Sequence, residues 1–139
     1  MIRRAGASTA LLIAVLLLAS ACSSTQTTLR LTTATSDDAT TWSKLNTTVQ
    51  ITSRHGGTDL RFEGPCGTVE ADGLTRHGDS LKRSAKSSTA ATGQGCIGNA
   101  GAQRAVLQDL LTDDATTYTV DHDLRRLTIT GARGKLLFE

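Results

Sequence analysis

The stretch Thr48-Val49-Gln50-Ile51-Thr52-Ser53-Arg54-His55-Gly56-Gly57-Thr58-Asp59-Leu60-Arg61-Phe62-Glu63 decides how this chain folds. Val49 and Ile51 alternate with Gln50 and Thr52, and Leu60 and Phe62 alternate with Arg61 and Glu63. Alternation at period two puts the apolar side chains on one face of a strand and the polar ones on the other. His55-Gly56-Gly57 between the runs is a turn, since glycine reaches backbone angles closed to other residues. Two such runs around a glycine pair spell an antiparallel hairpin with one buried face.

The same pattern continues downstream. Gly64-Pro65-Cys66-Gly67 interrupts it, because proline cannot donate to a ladder and glycine marks a bulge or a close approach. Thr68 to Asp72 resumes a strand, and His77-Gly78-Asp79 turns the chain before Leu81. Lys82 to Gly95 is rich in Ser, Thr, Ala and Gly without a period and reads as a loop. Asn99 is placed to cap a helix starting near Ala100. Val106, Leu107, Leu110 and Leu111 then form one stripe at helical spacing, ended by Asp113-Asp114. Tyr118 and Val120, Leu127 and Ile129, then Leu136 and Phe138 close the chain as a meander, with turns at His122-Asp123 and Gly131–Gly134. Many short strands with one helix predict an α+β domain: a mostly antiparallel, strongly curved sheet with the helix inserted before the C-terminal meander.

Upstream the chain changes character. Leu29-Arg30-Leu31 alternates briefly as a first strand, broken at Ser36-Asp37-Asp38, and the following loop to Asn46 carries Trp42 as a plug. Residues 23–28 are polar and read as a flexible tether. Before them, Arg3 and Arg4 precede an apolar run from Ala10 to Leu18, then Ala19-Ser20-Ala21-Cys22. A membrane-spanning helix needs roughly 20 apolar residues, and this run is about half that, the length of a signal-peptide core. The small residues before Cys22 look like the lipobox of bacterial lipoproteins, whose cysteine receives a diacylglyceryl group before the signal is cut. Ala19 stands where leucine is more usual. The expected division is a signal over residues 1–21, a lipidated tether over 22–28 and a domain over 29–139. The competing reading is ordinary cleavage at Ala-Ser-Ala, with Cys22 an incidental thiol.

Without Arg3 and Arg4, thirteen basic residues face thirteen acidic ones. A neutral chain has no basic face with which to displace counterions from nucleic acid. Aromatics are few: Trp42, Phe62, Tyr118 and Phe138. Once Cys22 carries lipid, Cys66 and Cys96 remain, outside the cytoplasm where disulfides persist. A bond between them would close a loop worth roughly 3–4 kcal/mol on the chain-entropy account. A free reactive thiol or a metal site are the other uses open to these cysteines.

The order of these marks resembles the META domain, the fold of HslJ-like heat-inducible lipoproteins, from about Thr28 to Glu139. Gly64-Pro65-Cys66-Gly67 stands where that family has G-x-C-N, with Gly67 in place of asparagine. Thr92-Gly93-Gln94-Gly95-Cys96 before the helix and Leu127–Phe138 as a closing hairpin match two further marks. The resemblance implies an envelope protein without an assigned reaction, and it places both cysteines at marked positions.

The three histidines, His55, His77 and His122, invite a zinc or catalytic reading, yet each lies at a turn beside glycine or aspartate, where a polar ring is simply solvated. No two lie at i, i+4, and the cysteines lack the clustering of structural zinc. A cysteine nucleophile needs a depressed pKa and a base in reach, and the local sequence supplies neither. Asp37-Asp38 and Asp113-Asp114 sit at element ends as solvated acids. Asn46-Thr47-Thr48 fits a glycosylation pattern of little weight in a bacterial lipoprotein. No metal, cofactor or enzymatic reaction is expected. The expected function is a lipid-anchored protein on the extracytoplasmic face of the cell membrane, with an envelope stress, structural or interaction role toward an envelope protein or a cell-wall component. The alternative is a carrier sheltering a small apolar ligand in the curved sheet.

Overall fold

Threonine, valine and isoleucine are branched at Cβ and suit a pleated strand. In the computed structural model, which describes residues 23–37, 40–93 and 95–139, they fill one. The strands are β1 (Thr25–Ser36), β2 (Thr48–Arg54), β3 (Gly57–Gly64), β4 (Gly67–His77), β5 (Ser80–Lys82), β6 (Ser88–Ala91), β7 (Thr117–Val120), β8 (Leu127–Gly131) and β9 (Gly134–Phe138). One helix, α1 (Gly98–Thr112), lies between β6 and β7. The α+β class and the mostly antiparallel sheet are as read from the sequence, and so is the position of the helix before the meander.

The curvature goes further than an open curved sheet. The ladder runs β3-β2-β1-β9-β8-β7-β5-β4, and β4 pairs back onto β3, so eight strands close into a barrel. Two long strands make closure possible. β1 pairs with β2 through Thr25–Arg30 and with β9 through Leu31–Ser36. β4 holds β3 on one side, and on the other holds β5 along Thr75–His77 and β6 along Val69–Asp72. Register shifts between Leu31 and Thr33 and between Thr58 and Leu60 add the local bend that a closed sheet needs. At the second, the Asp59 carboxylate accepts the Gly73 N–H at 2.9 Å and the Ser87 hydroxyl donates to the Gly73 carbonyl at 2.8 Å.

Alternation fills the barrel. Leu29 and Leu31, Val49 and Ile51, Leu60 and Phe62, Val69 and Ala71, Leu127 and Ile129, Leu136 and Phe138 all point inward and are buried. Phe62 on β3 and Phe138 on β9, strands that are not neighbours, meet across the lumen with ring centroids 5.5 Å apart. The lumen is thus a packed core, as small eight-stranded barrels permit. The helix buries Val106, Leu107, Leu110 and Leu111 into the same cluster, together with Trp42.

Four local readings change. Thr25–Thr28, read as tether, are strand, paired with Ser53 to Gln50. Their alternating Thr and Gln side chains carry no apolar signal, so backbone pairing with β2 decides. Ser88–Ala91, read as loop, is β6, a strand of small side chains held by its ladder to β4. Gly64-Pro65-Cys66-Gly67 is a reversal rather than an interruption: Gly64 pairs with Gly67 and the chain turns at Pro65-Cys66. The helix begins at Gly98 with Ile97 as N-cap and no side-chain cap, because Asn99 bonds elsewhere.

Candidate functional site

Cys22, the lipidation site read from the sequence, lies outside the described residues, as does Asp38. The other two cysteines come together. Cys66, buried in the β3–β4 turn, and Cys96, two residues before α1, stand as a disulfide pair with Cα atoms 5.8 Å apart. The bridge ties the helix start to the barrel rim. Beside it Gly67, with φ of +97°, leaves no room for a Cβ, which would overlap the Thr92 carbonyl oxygen. Gly93 is its counterpart, where a Cβ would stand 2.5 Å from the Cys66 carbonyl oxygen. Position 67 takes glycine because two backbones pass through that space.

The helix is clamped to this end of the barrel by polar side chains, of which the sequence marked only Asn99, and that as a helix cap. Gln103, buried, accepts the Ser43 N–H at 2.9 Å and donates to the Thr47 hydroxyl at 2.8 Å, while that hydroxyl donates to the Ser43 carbonyl. Asn99 accepts the Thr41 N–H at 3.1 Å and donates to the Thr41 carbonyl. Two amide side chains thus hold residues 41–47 and seat Trp42 in the core. At the other helix end, the Tyr118 hydroxyl donates to the Leu110 carbonyl at 3.3 Å, and Arg83 and Thr89 donate to the Leu111 carbonyl. These donors satisfy carbonyls that a helix end leaves bare, and the Arg83 charge suits the negative end of the dipole. Burial pushes the Tyr118 phenol up to about 12, partly offset by Arg83, so it remains a neutral donor.

Between β5 and β7, which share only the pairs Ser80–Thr119 and Leu81–Tyr118, a cleft of about 600 Å³ opens. Ser80–Ala85 and Asp114–Thr119 line it, and Arg83 pairs with Asp114 across it at 3.4 Å. Its signal in the sequence is weak, since it arises from the brevity of β5 rather than from a motif. A second cavity, about 20 Å³, lies between the disulfide turn and Arg104.

His55, His77 and His122 are exposed at three turns. His122 lies 3.0 Å from Asp123 and holds that carboxyl below the ordinary carboxylate range by hydrogen bond and charge. Among the described residues, no three His, Cys, Asp or Glu side chains gather closely enough to hold a metal ion. Asp113 and Asp114 follow the helix, with Asp114 in the ion pair to Arg83. No helix of the described residues is long and apolar enough to cross a membrane.

The arrangement is a small antiparallel barrel with a helix across one end and a disulfide at the helix start. No protein-family model matches the chain, no curated protein matches it, and no solved structure matches its fold.

Proposed function

We propose that this chain is a META-like lipoprotein, held on the extracytoplasmic face of the cell membrane by a diacylglyceryl group on Cys22. It has no enzymatic role and serves the envelope under stress or as a binding partner of an envelope protein or cell-wall component. The partition of the thiols carries this reading. Cys66 and Cys96 are at disulfide distance from each other, so Cys22 is the one cysteine left over, and it follows the Leu18-Ala19-Ser20-Ala21 run. Two acyl chains on it would give stable attachment, each buried CH₂ adding about 0.8 kcal/mol. The carrier reading has less support, because side chains of the barrel's own strands occupy its interior. Cys22→Ala tests the anchor: the protein should leave the detergent-extracted fraction or accumulate unprocessed. Unchanged fractionation and unchanged intact mass would refute it.

A further inference from the structure

The strand directions sort the barrel into two unlike ends. β1 starts at Thr25, which pairs with Ser53 beside the turn at His55-Gly56. β2, β4 and β7 run opposite to β1, β3, β5 and β8, so they finish at the end where β1 begins. The turns that follow them, at His55-Gly56, Gly78-Asp79 and His122-Asp123, therefore share that end. Arg76 knits two of them together, donating to the Gly78 carbonyl at 3.0 Å and to the Asp121 and His122 carbonyls at 3.1 and 3.4 Å. The third adjoins through a shallow cleft that Arg54, Gly56 and Arg76 share. The helix, the disulfide and the exposed apolar side chains Leu45 and Ile97 belong to the opposite end.

We infer that the three-turn end is a membrane-facing surface, seated on the polar headgroups of the bilayer that holds the anchor. The inference rests on the proposed lipidation of Cys22. Pairing of Thr25 with β2 leaves Ser23 and Ser24 alone between the lipidated residue and the barrel wall. Three Cα–Cα steps reach at most about 11 Å, so the anchor cannot lift a barrel far from the interface. The chemistry of this end fits a headgroup layer. Arg54, Arg125, Asp79, Asp123 and the three histidines stand exposed at this end, and neither Leu45 nor Ile97, the exposed large apolar side chains among the described residues, lies here. Both signs of charge meet the phosphates and amines of phospholipid, and nothing at this end inserts into hydrocarbon. The helix end then points away from the membrane.

The test uses the full chain, processed in a bacterial host and reconstituted in phospholipid vesicles. His55→Cys, His122→Cys and, on the exposed helix face, Ala102→Cys each supply one free thiol, because Cys66 and Cys96 are bonded and Cys22 is acylated. Each is labelled with a small bimane fluorophore, and the vesicles carry a nitroxide on a fraction of the headgroups. Emission at 55 and 122 should fall several-fold more than at 102. Equal quenching at all three sites, or none at 55 and 122, in protein whose intact mass includes the lipid overturns the orientation while leaving the anchor standing. A mass without the lipid overturns the anchor and the orientation with it.

Discussion

Replacing Gln103 with leucine should loosen the loop before β2 while leaving the barrel closed. Gln103 is 4 % exposed and makes two hydrogen bonds, to the Ser43 N–H and the Thr47 hydroxyl. Leucine nearly conserves volume and supplies neither partner. The Ser43 N–H left without an acceptor costs about 1–3 kcal/mol, and the lost bond to the Thr47 hydroxyl removes about 0.5–1.5 kcal/mol more. Thr47 suffers less, because it still donates to the Ser43 carbonyl. Extra apolar burial of leucine offsets about 1 kcal/mol, so the net loss should be near 2 kcal/mol. At a urea m-value of about 2 kcal/mol/M, the midpoint falls by about 1 M. Trp42 makes the local effect visible. It is the single tryptophan, 8 % exposed, in the loop that Gln103 holds. Its emission in the native baseline should shift to the red before global unfolding begins. A midpoint within about 0.5 kcal/mol of the parent, the range of ordinary surface changes, together with unchanged emission, would refute the reasoning.

Leu110 is 1 % exposed on the helix face that meets the barrel, so Leu110→Ala should cost about 2–4 kcal/mol in urea unfolding; a loss below about 0.5 kcal/mol would place that face outside the core. Gly67→Ala should cost about 1–3 kcal/mol from the left-handed backbone alone, with more from the overlap with the Thr92 carbonyl, and an unaltered melting curve would contradict the close approach. Asp72 has its carboxyl raised above the ordinary range, first by burial and then by the charges of Asp59 and Glu70, against Arg54. An acid that holds its proton more tightly when folded lowers stability once pH exceeds its unfolded value, and the penalty is complete above its folded one. Asp72→Asn should therefore raise the urea midpoint at pH 7 and give no gain near pH 3, where the carboxyl is protonated in both states; an equal difference at both pH values would refute the assignment.

The strands with large apolar side chains were legible because burial in a barrel follows the period-two rule. The hairpin Thr48–Glu63, the turn at Gly78-Asp79, the stripe on α1 and the meander from Tyr118 to Phe138 all lie as their patterns require. The elements that were misread are those whose side chains do little of the work. Thr25–Thr28 and Ser88–Ala91 are held by backbone pairing to β2 and β4, which leaves no hydrophobic trace. Closure was equally silent, since the pairing of β3 with β4 and of β1 with β9 joins runs that look alike whether the sheet is open or shut. At the helix start, the two cysteines were legible by count, whereas Gln103 was not marked and Asn99 was read as a helix cap rather than as the clamp on Thr41. A buried amide is indistinguishable in sequence from a surface one, and only the backbone of residues 41–47 beside it reveals the role.

The ladder between β1 and β9 joins Leu31 to Phe138, partners about a hundred residues apart along the chain. Bringing such distant segments together carries the loop-closure entropy of nearly the whole domain before any contact repays it. The β2–β3, β7–β8 and β8–β9 pairs are local, and local pairs close at less entropic cost than the seam of β9 with β1. Until that seam closes, the later half of β1 and the outer side of β9 are open strand edges, the templates on which a second unfolded copy would add. Thr32, Thr33 and Thr35 line the waiting part of β1 with short hydroxyl side chains, and only Leu31 there is buried. A β1 edge lined by hydroxyl side chains is a poor template for such addition while the long-range seam is still open.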